Sequence, residues 1–259
     1  MVRGLYTAYT GLRNEQKRLD VVSNNLANAD TTGFKKQGVS SQSFDRQLAI
    51  KINDESEAYT QRAIGKVSLG VKIGETYYDF SQGSFNETGN KYDLALQGTG
   101  FFTISTTDKS GAEHIRYTRD GAFTITRDGY LVTKDGDYVL GTNNQRIQIP
   151  GANTAEVAID TQGNVFANSI NVGRLQVVDF DDTDSLLEYG ENMYEALPTA
   201  GMRQSTASVN QGYLEMSNVN VIDEMVNMIT ITRAYETNQK MMQTIDGTLD
   251  IAANQLGRL

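Results

Sequence analysis

The chain has 259 residues, of which 39% are hydrophobic and 21% charged, and its formal net charge at pH 7 is −9. This length accommodates one large domain or two, with a core of modest size. The acidic balance argues against nucleic acid as a partner, and the lack of cysteine excludes a disulfide framework, a thiolate nucleophile and a Cys-ligated metal site. The polar N-terminus lacks the apolar core of a secretory signal peptide. No stretch approaches the roughly 18–20 apolar residues that span a bilayer, so no membrane insertion is expected.

Residues 1–36 are predicted to form a long helix followed by a turn. Apolar side chains recur at steps of three, four or seven residues and form one narrow stripe, which is typical of a coiled coil. Its main members are Leu5, Leu12, Leu19, Val22 and Leu26. The helix should end between Asn28 and Gly33, because polar residues that compete for backbone hydrogen bonds are followed there by a glycine that tolerates positive φ.

Residues 215–259 carry a second stripe and are predicted to form a second long helix, because apolar steps of four and three residues alternate along them. The members that we expect to face the first helix are Met228, Ile231, Tyr235, Met242, Ile245, Leu249 and Leu256. Residues 1–36 contain six Lys or Arg and three Asp or Glu, whereas residues 215–259 contain three and six. The two ends are therefore predicted to pair as a coiled-coil hairpin that leaves its polar outer faces for other partners. The alternative is ordinary packing of both helices on the central domain.

Residues 37–76 are predicted to be an extended connecting segment. Apolar residues recur at alternating positions in two parts of this segment. The first part contains Phe44, Leu48, Ile50 and Ile52, and the second is residues 67–73, so we expect two extended pieces. The polar stretch between them, residues 53–61, is expected to be a mobile loop.

Residues 77–214 are predicted to form a mainly β central domain, either an antiparallel meander or a small irregular barrel. Asp-Gly dipeptides at 120–121, 128–129 and 135–136 each indicate a turn, because Asp-Gly reaches positive φ at low cost. The β-branched and aromatic residues between them suit short strands. Residues 98–100, Gly-Thr-Gly, lack the third glycine of a dinucleotide fingerprint and are expected to be a tight entry into a strand.

The residues predict no catalytic, metal or cofactor site. The single histidine, His114, is expected to lie in a polar, exposed turn as a surface residue rather than as part of a Ser-His-Asp triad. The densest acidic cluster, residues 179–188, does not match an EF-hand, since Asp184 and Gly190 stand where that loop needs glycine and glutamate. We expect a solvated acidic turn there.

Two motifs near the ends resemble the signatures of bacterial flagellar rod and hook proteins. The N-terminal motif includes Asn24, Asn25, Leu26, Ala27, Asn28, Thr31, Thr32, Gly33, Phe34 and Lys35. The C-terminal motif includes Ser217, Asn218, Val219, Asn220, Glu224, Met225, Arg233, Ala234, Tyr235 and Glu236. Between them, residues 93–102 and 117–121 are similar to the central β-domain of the rod proteins nearest the hook. The resemblance therefore covers nearly the whole chain.

This resemblance implies a structural subunit of the flagellar rod, located in the basal body and exported through the flagellar type III apparatus to the outside of the cytoplasmic membrane. It implies helical polymerisation with copies of itself, with adjacent rod proteins and the hook as further partners. The paired terminal helices would form an inner tube that transmits torque. The 44 residues from Gln37 to Phe80 favour the distal type of rod subunit, which has the longer connection after its first helix. The alternative is a proximal rod subunit or another hook or basal-body axial protein.

Two other functional classes stay open from the residues alone. A secreted cell-wall hydrolase would need a pair of carboxylates in a cleft, and nothing in the sequence marks such a pair. A soluble adaptor with a terminal coiled coil would form a small closed oligomer. Asn24, Asn25 and Asn28 are expected either to bind backbone groups where the first helix ends or to contact neighbouring subunits.

Overall fold

The computed structural model describes residues 2–44, 47–50, 63–67, 70–108, 111–151, 156–190 and 192–254. The chain divides into two compact units. The first, here called the helical unit, comprises residues 1–26, 37–77 and 221–259. The second, here called the β-rich unit, comprises residues 27–36 and 78–220. Within the described ranges, no helix is both long enough and apolar enough to cross a membrane.

The N-terminal end of the chain forms one long helix, α1, which spans Val2–Ala27. Its 26 residues extend about 39 Å at 1.5 Å per residue. The helix ends where the sequence predicts, since the N–H of Thr31 donates to the carbonyl of Asn28 (3.2 Å) and Gly33 takes a φ of 68°.

The C-terminal end forms a second long helix, α2, which spans Val221–Asn254. Asp223 and Glu224 lie in its first turn, where negative charge complements the positive end of the helix dipole. The helix begins later than the predicted segment 215–259, because residues 215–220 belong to the β-rich unit. Leu256 of the predicted stripe lies outside the described residues.

The helical unit also contains four strands in two pairs, as the alternating pattern of residues 44–73 predicts in part. β1 (Lys36–Ser43) pairs with β4 (Val71–Asp79), and β2 (Gln47–Ile50) pairs antiparallel with β3 (Ala63–Val67). The loop predicted at residues 53–61 lies outside the described part of the chain.

The β-rich unit is built from short antiparallel strands, as predicted. They are β5 (Phe85–Glu87), β6 (Leu94–Gln97), β7 (Phe101–Thr107), β8 (Glu113–Thr118), β9 (Thr124–Ile125), β10 (Leu131–Val132), β11 (Tyr138–Gly141), β12 (Gln145–Arg146), β13 (Val157–Ile159), β14 (Asn164–Ala167), β15 (Ile170–Arg174), β16 (Val177–Phe180), β17 (Leu186–Gly190), β18 (Met193–Ala196), β19 (Met202–Gln204), β20 (Ser208–Gln211) and β21 (Tyr213–Glu215).

The main sheet of this unit is open. Its strand order is β17-β18-β8-β7-β11-β10-β9, with β12 beside β11, β16 beside β7 and β19 beside β16. Smaller sheets contain β13-β14-β15, β6-β20 and β5-β21. The prediction of an irregular barrel, one of the two alternatives, is wrong, because the sheet of described strands ends at β17 on one side and at β9 on the other, and these two strands do not pair. The predicted meander is present at β9-β10-β11.

Two of the three predicted Asp-Gly turns form hairpins. Gly129 has a φ of 83° between β9 and β10, and Gly136 has a φ of 97° between β10 and β11. The prediction for Gly121 is wrong: its φ is not positive, and β8 pairs with β7 and β18 rather than with β9. A Cβ at Gly121 would overlap the carbonyl oxygen of Leu94, so this glycine permits a close approach of two backbone segments.

Strand β7 lies at the centre of the unit and is buried on both faces. Phe102 and Ile104 point into one apolar cluster together with Leu94 and Leu96, whereas Phe101 points into a second, aromatic cluster. This is why the strand begins with two consecutive phenylalanines rather than with an alternating pattern. Gly98 and Gly100, with φ of 114° and 146°, form the tight entry predicted for this strand.

Candidate assembly interface

In the helical unit, α1 and α2 lie side by side in antiparallel order. A Cβ placed on Gly4 would lie 3.3 Å from Ile245 Cδ1, and one placed on Gly11 would lie 3.1 Å from Asn238 Nδ2. Further along, Asn25 Nδ2 donates to Glu224 Oε2 (3.4 Å). The two glycines, one heptad apart, therefore leave room for the side chains of Ile245 and Asn238.

Every described member of the two predicted stripes is at least partly removed from solvent. The fully buried members are Val22 and Ile231. The half-buried members are Leu5, Leu12, Leu19, Leu26, Met228, Tyr235, Met242, Ile245 and Leu249.

A second face of α1 is buried against the ribbon formed by β1 and β4. The hydroxyl of Ser41 donates to Asn14 Oδ1 (3.0 Å), and a Cβ on Gly70 would lie 3.2 Å from Thr10 Cβ. Asn14 and Thr10 are both buried. The expectation that the polar outer face of the first helix is left for other partners is therefore wrong for this face. The polar residues 10, 14 and 25 share one side of the helix, and this spacing could have indicated a second buried face.

Asn25, which is only 1% exposed, pairs with both backbone groups of Gln37. Its Nδ2 donates to the carbonyl of Gln37 (2.8 Å), and its Oδ1 accepts from the N–H of Gln37 (2.9 Å). This agrees with the expectation that the motif asparagines bind backbone groups at the end of the helix. Asn28 Oδ1 accepts from the hydroxyl of Thr31 (3.2 Å), whereas Asn24 is exposed.

The face of α2 opposite its stripe carries an exposed apolar row in the first two turns. Ile222 is 72% exposed, and Met225, Val226 and Ile229 are exposed beside it. Their spacing of i, i+3, i+4 and i+7 places them on one side of the helix. Arg233 and Glu236 follow on the same side and are also exposed.

Other motif residues tie together the two segments that precede and follow the β-strands of the β-rich unit. The N–H of Gly33 donates to the carbonyl of Glu215 (2.8 Å), and the N–H of Lys36 donates to Asn218 Oδ1 (2.8 Å). Asn218 Nδ2 donates in turn to the carbonyl of Asp79 (2.7 Å). Of the remaining motif residues, Phe34 and Ser217 are buried, Thr32, Val219 and Ala234 are half-buried, and Ala27 and Asn220 are exposed.

A buried ionic cluster lies where these two segments of the β-rich unit meet. Glu215 Oε1 accepts from Lys35 Nζ (2.6 Å) and from the N–H of Gly83 (3.0 Å), and Glu215 Oε2 accepts from Arg119 Nε (2.9 Å). Lys35 also donates to the carbonyl of Ser81 (2.7 Å). Lys35 and Glu215 are each 1% exposed. Burial lowers the pKa of Lys35, and this effect outweighs the opposing effect of the neighbouring Glu215 carboxylate.

Gly33 is expected to be sensitive to replacement by alanine, with a loss of about 2 kcal/mol in the unfolding free energy of the β-rich unit. Its positive φ disfavours any L side chain, and a new Cβ would lie 2.7 Å from the carbonyl carbon of Arg119. Gly89 is the matched control, because its φ is 66° but no atom lies within 4 Å of the added Cβ. Urea unfolding of G33A and G89A checks this, and equal losses would contradict the role given to the Arg119 contact.

The acidic cluster near β16 forms the expected solvated turn at Asp181, Asp182 and Asp184, which are exposed, but not at Asp179. Asp179 is buried and accepts hydrogen bonds from Arg203 Nη2 (2.7 Å), the Thr99 hydroxyl (2.9 Å) and the N–H of Phe180 (2.9 Å). Burial alone would raise the pKa of Asp179, but these hydrogen bonds lower it overall. The stabilisation from this carboxylate is therefore present above its ordinary pKa of 3.8 and is lost as the pH falls below that value.

Within the described ranges, no group of three or more Asp, Glu or His residues is placed to hold a metal ion. His114 is on β8 rather than in a turn; it is exposed, and its Nε2 lies 3.5 Å from Asp108 Oδ2.

Three sequence profiles of flagellar proteins match the chain. The profile described as "Flagella basal body rod protein" matches residues 5–35, the "Flagellar hook protein FlgE/F/G D1 domain" matches residues 95–167, and the "Flagellar basal body rod FlgEFG protein C-terminal" matches residues 210–256. The matches at the two ends contain most of α1 and all of α2, and the central match contains strands β7 to β14.

Several whole proteins are similar over nearly the full length. The flagellar basal-body rod protein FlgG of Borreliella burgdorferi is 35% identical over 98% of each chain. The flagellar basal-body rod protein FlgF of Caulobacter vibrioides is 35% identical over 100% of this chain and 98% of its own. FlgG of Bacillus subtilis is 32% identical over 98% of this chain and 99% of its own. The chain therefore belongs to the family of flagellar basal-body rod proteins, as a structural component of the basal body and not an enzyme.

Proposed function

We propose that this chain is the distal subunit of the flagellar rod and that it polymerises helically through its paired terminal helices. The observation that carries this proposal is the exposed apolar row at Ile222, Met225, Val226 and Ile229, on the side of α2 that faces away from α1. Contiguous exposed apolar surface on a helix is a feature of interaction sites.

The proposed coiled coil has support from the spacing of the helix contacts. Gly4 and Gly11 are seven residues apart, and their partners Ile245 and Asn238 are also seven residues apart. A hydrophobic repeat of seven residues keeps one seam facing the partner helix along the whole length. In this proposal the outer sides of the pair are the surfaces through which neighbouring subunits pack.

An open-ended polymer needs a heterologous contact, in which two different surfaces of the same chain meet. Many such contacts along helices parallel to the rod axis would transmit torque without any single strong site. Adjacent flagellar axial components are partners that the family implies. We further propose that the hook is among them and that the chain leaves the cell through the flagellar type III apparatus.

The distal assignment rests on the length of the connection after α1. In the 44 residues from Gln37 to Phe80, the described strands form two pairs, β1 with β4 and β2 with β3, and the length of this segment fits the longer connection of the distal type. The FlgG of Borreliella burgdorferi and the FlgF of Caulobacter vibrioides are both 35% identical to this chain, so sequence identity does not favour one relative over the other. The proximal subunit is the second candidate.

Deleting residues 2–26 tests the assembly proposal. We expect a strain that carries only this variant to lose swarming, because α2 loses its partner helix, while the β-rich unit keeps its cooperative unfolding transition. Immunoblots of the exported fraction separate a failure of export from a failure of assembly. Full swarming with the deletion would overturn the proposal.

A peptide tag tests the distal assignment. The turn at Asn168 and Ser169, which joins β14 to β15, is a suitable insertion site, because it is an exposed hairpin tip where both residues have positive φ. Labelled basal bodies should carry the tag next to the hook. Label confined to the motor-proximal part of the rod would instead support the proximal subunit.

A further inference from the structure

The helical unit contains a groove of about 320 Å³ between α1, Phe44 and the start of strand β4. Its aromatic lining consists of Tyr6, Tyr9 and Phe44, and its charged lining consists of Arg13, Lys17 and Lys72. Among the described residues that line it, none carries a carboxylate. The groove therefore suits an acidic segment that also presents apolar groups.

The C-terminal part of α2 presents an exposed acidic face. Residues 241–254 contain Asp246 and Asp250 but no Lys or Arg, and the next basic residue in the sequence is Arg258. The C-terminal end of a helix adds partial negative charge from its carbonyl groups. Ile251, which is half exposed, shares this side of the helix with Gly247.

Two features of this acidic face destabilise the isolated chain. Asp246 and Asp250 are like charges at i and i+4, which repel each other by a few tenths of a kcal/mol. Gly247 lies in the interior of the helix, where glycine costs about 1 kcal/mol relative to alanine. In the part of the chain that the structure describes, no atom lies within 4 Å of the position of a Cβ on Gly247, so no described residue requires a glycine there. A cationic surface would relieve the repulsion, and the absence of a side chain at Gly247 would permit its close approach.

The groove and the acidic face of one chain cannot meet. Gly11 lies beside Asn238 in the antiparallel pair, so Lys17 is level with about residue 232. Asp250 is eighteen residues further along α2, or about 27 Å away at 1.5 Å per residue. Within one chain, the two surfaces are therefore not partners of each other.

We propose that the aromatic and basic groove on α1 and β4 binds the acidic end of α2 of a second copy, with Gly247 at the point of closest approach. This inference rests on the proposed rod function and names the two surfaces that meet. The contact is heterologous, because the groove and the acidic face are different surfaces of the same chain, and it therefore permits open-ended growth. Opposite charges on the two surfaces also fix the orientation of the incoming copy.

Disulfide cross-linking in assembled basal bodies tests the contact directly. The chain has no native cysteine, so a K17C/D250C variant contains only the introduced pair. A disulfide needs Cα atoms within about 7 Å, which only two different copies can provide here. We expect linked dimers and longer multimers. Q16C/D250C is the matched control, because Gln16 is exposed on α1 but does not line the groove, and it should link at least about fivefold less.

Charge reversal gives an independent test. K17E/K72E and D246K/D250K should each reduce swarming about tenfold, and combining all four changes should restore most of it. Q16E, which places a new acid outside the groove, should swarm normally. Residues 54–57 contain the acids Asp54, Glu55 and Glu57 and lie outside the described residues. If replacing these three acids with lysine restored the swarming of K17E/K72E, the groove would bind that segment instead, and the proposal would be overturned.

The outcomes also separate this inference from the rod function. If K17C/D250C fails to link, or links no better than the control, in basal bodies that contain the chain, the inference falls and the rod function stands. If the chain is absent from purified basal bodies, both fall.

Discussion

Replacing Glu215 with glutamine is expected to lower the unfolding free energy of the β-rich unit by about 3 to 5 kcal/mol. The carboxylate lies between Lys35 Nζ (2.6 Å) and Arg119 Nε (2.9 Å), and it also accepts the N–H of Gly83. A neutral amide would leave two buried cations without a counter-charge. Urea unfolding of the full chain, followed by near-ultraviolet circular dichroism of the tyrosines, measures the loss.

E87Q is the matched control for this prediction. Glu87 lies on β5, which pairs with β21, but its side chain is exposed, so the same change should cost less than about 0.5 kcal/mol. Adding K35M to E215Q should recover part of the loss, because it removes one of the two uncompensated charges. If E215Q and E87Q lose similar amounts, the buried cluster does not stabilise the unit.

The G11L variant is expected to separate α1 from α2 locally, at a cost of about 3 kcal/mol in the stability of their contact. A Cβ on Gly11 would already lie 3.1 Å from Asn238 Nδ2, so the three further carbons of leucine have no space. Hydrogen exchange of the isolated chain measures the effect, as roughly a hundredfold faster exchange of the α2 amides near residue 238. The β-rich unit should keep its wild-type stability.

T7L controls for the addition of bulk to the same helix. Thr7 is exposed, and its hydroxyl binds only the carbonyl of Arg3 within α1 (2.9 Å), so the larger side chain meets solvent. Its α2 amides should exchange at close to the wild-type rate. Comparable acceleration in T7L and G11L would show that the loss comes from a general effect on α1 and not from the close contact at Gly11.

Local patterns in the sequence predicted several features correctly. The end of α1, the hairpins at Gly129 and Gly136 and the strand entry at Gly98 and Gly100 all follow from residues within a few positions of each other. Turn chemistry depends on the φ that one or two residues can adopt, so it is visible without knowledge of the rest of the chain.

Features that depend on distant segments escaped the same reasoning. The Asp-Gly at residue 121 has the sequence of a hairpin turn, but a strand 27 positions earlier determines its backbone, because Gly121 accepts the N–H of Leu94 (3.0 Å). Asp179 belongs to an acidic cluster, yet Arg203 and Thr99 bury it. The polar outer face of the first helix was predicted to remain available to other partners, but the ribbon of β1 and β4 covers the side that carries Thr10 and Asn14.

The sequence by itself determined the two long helices, their stripes and a β-rich middle, because hydrophobic spacing and turn residues act over short distances in the chain. Only the tertiary structure decided that the sheet stays open, that Lys35 and Arg119 meet on Glu215, and that α1 is buried on two faces. Those features depend on groups that are distant in the chain, such as Lys35 and Glu215, which are 180 positions apart. The sequence around a charged residue does not indicate which distant partner will compensate the cost of burying its charge.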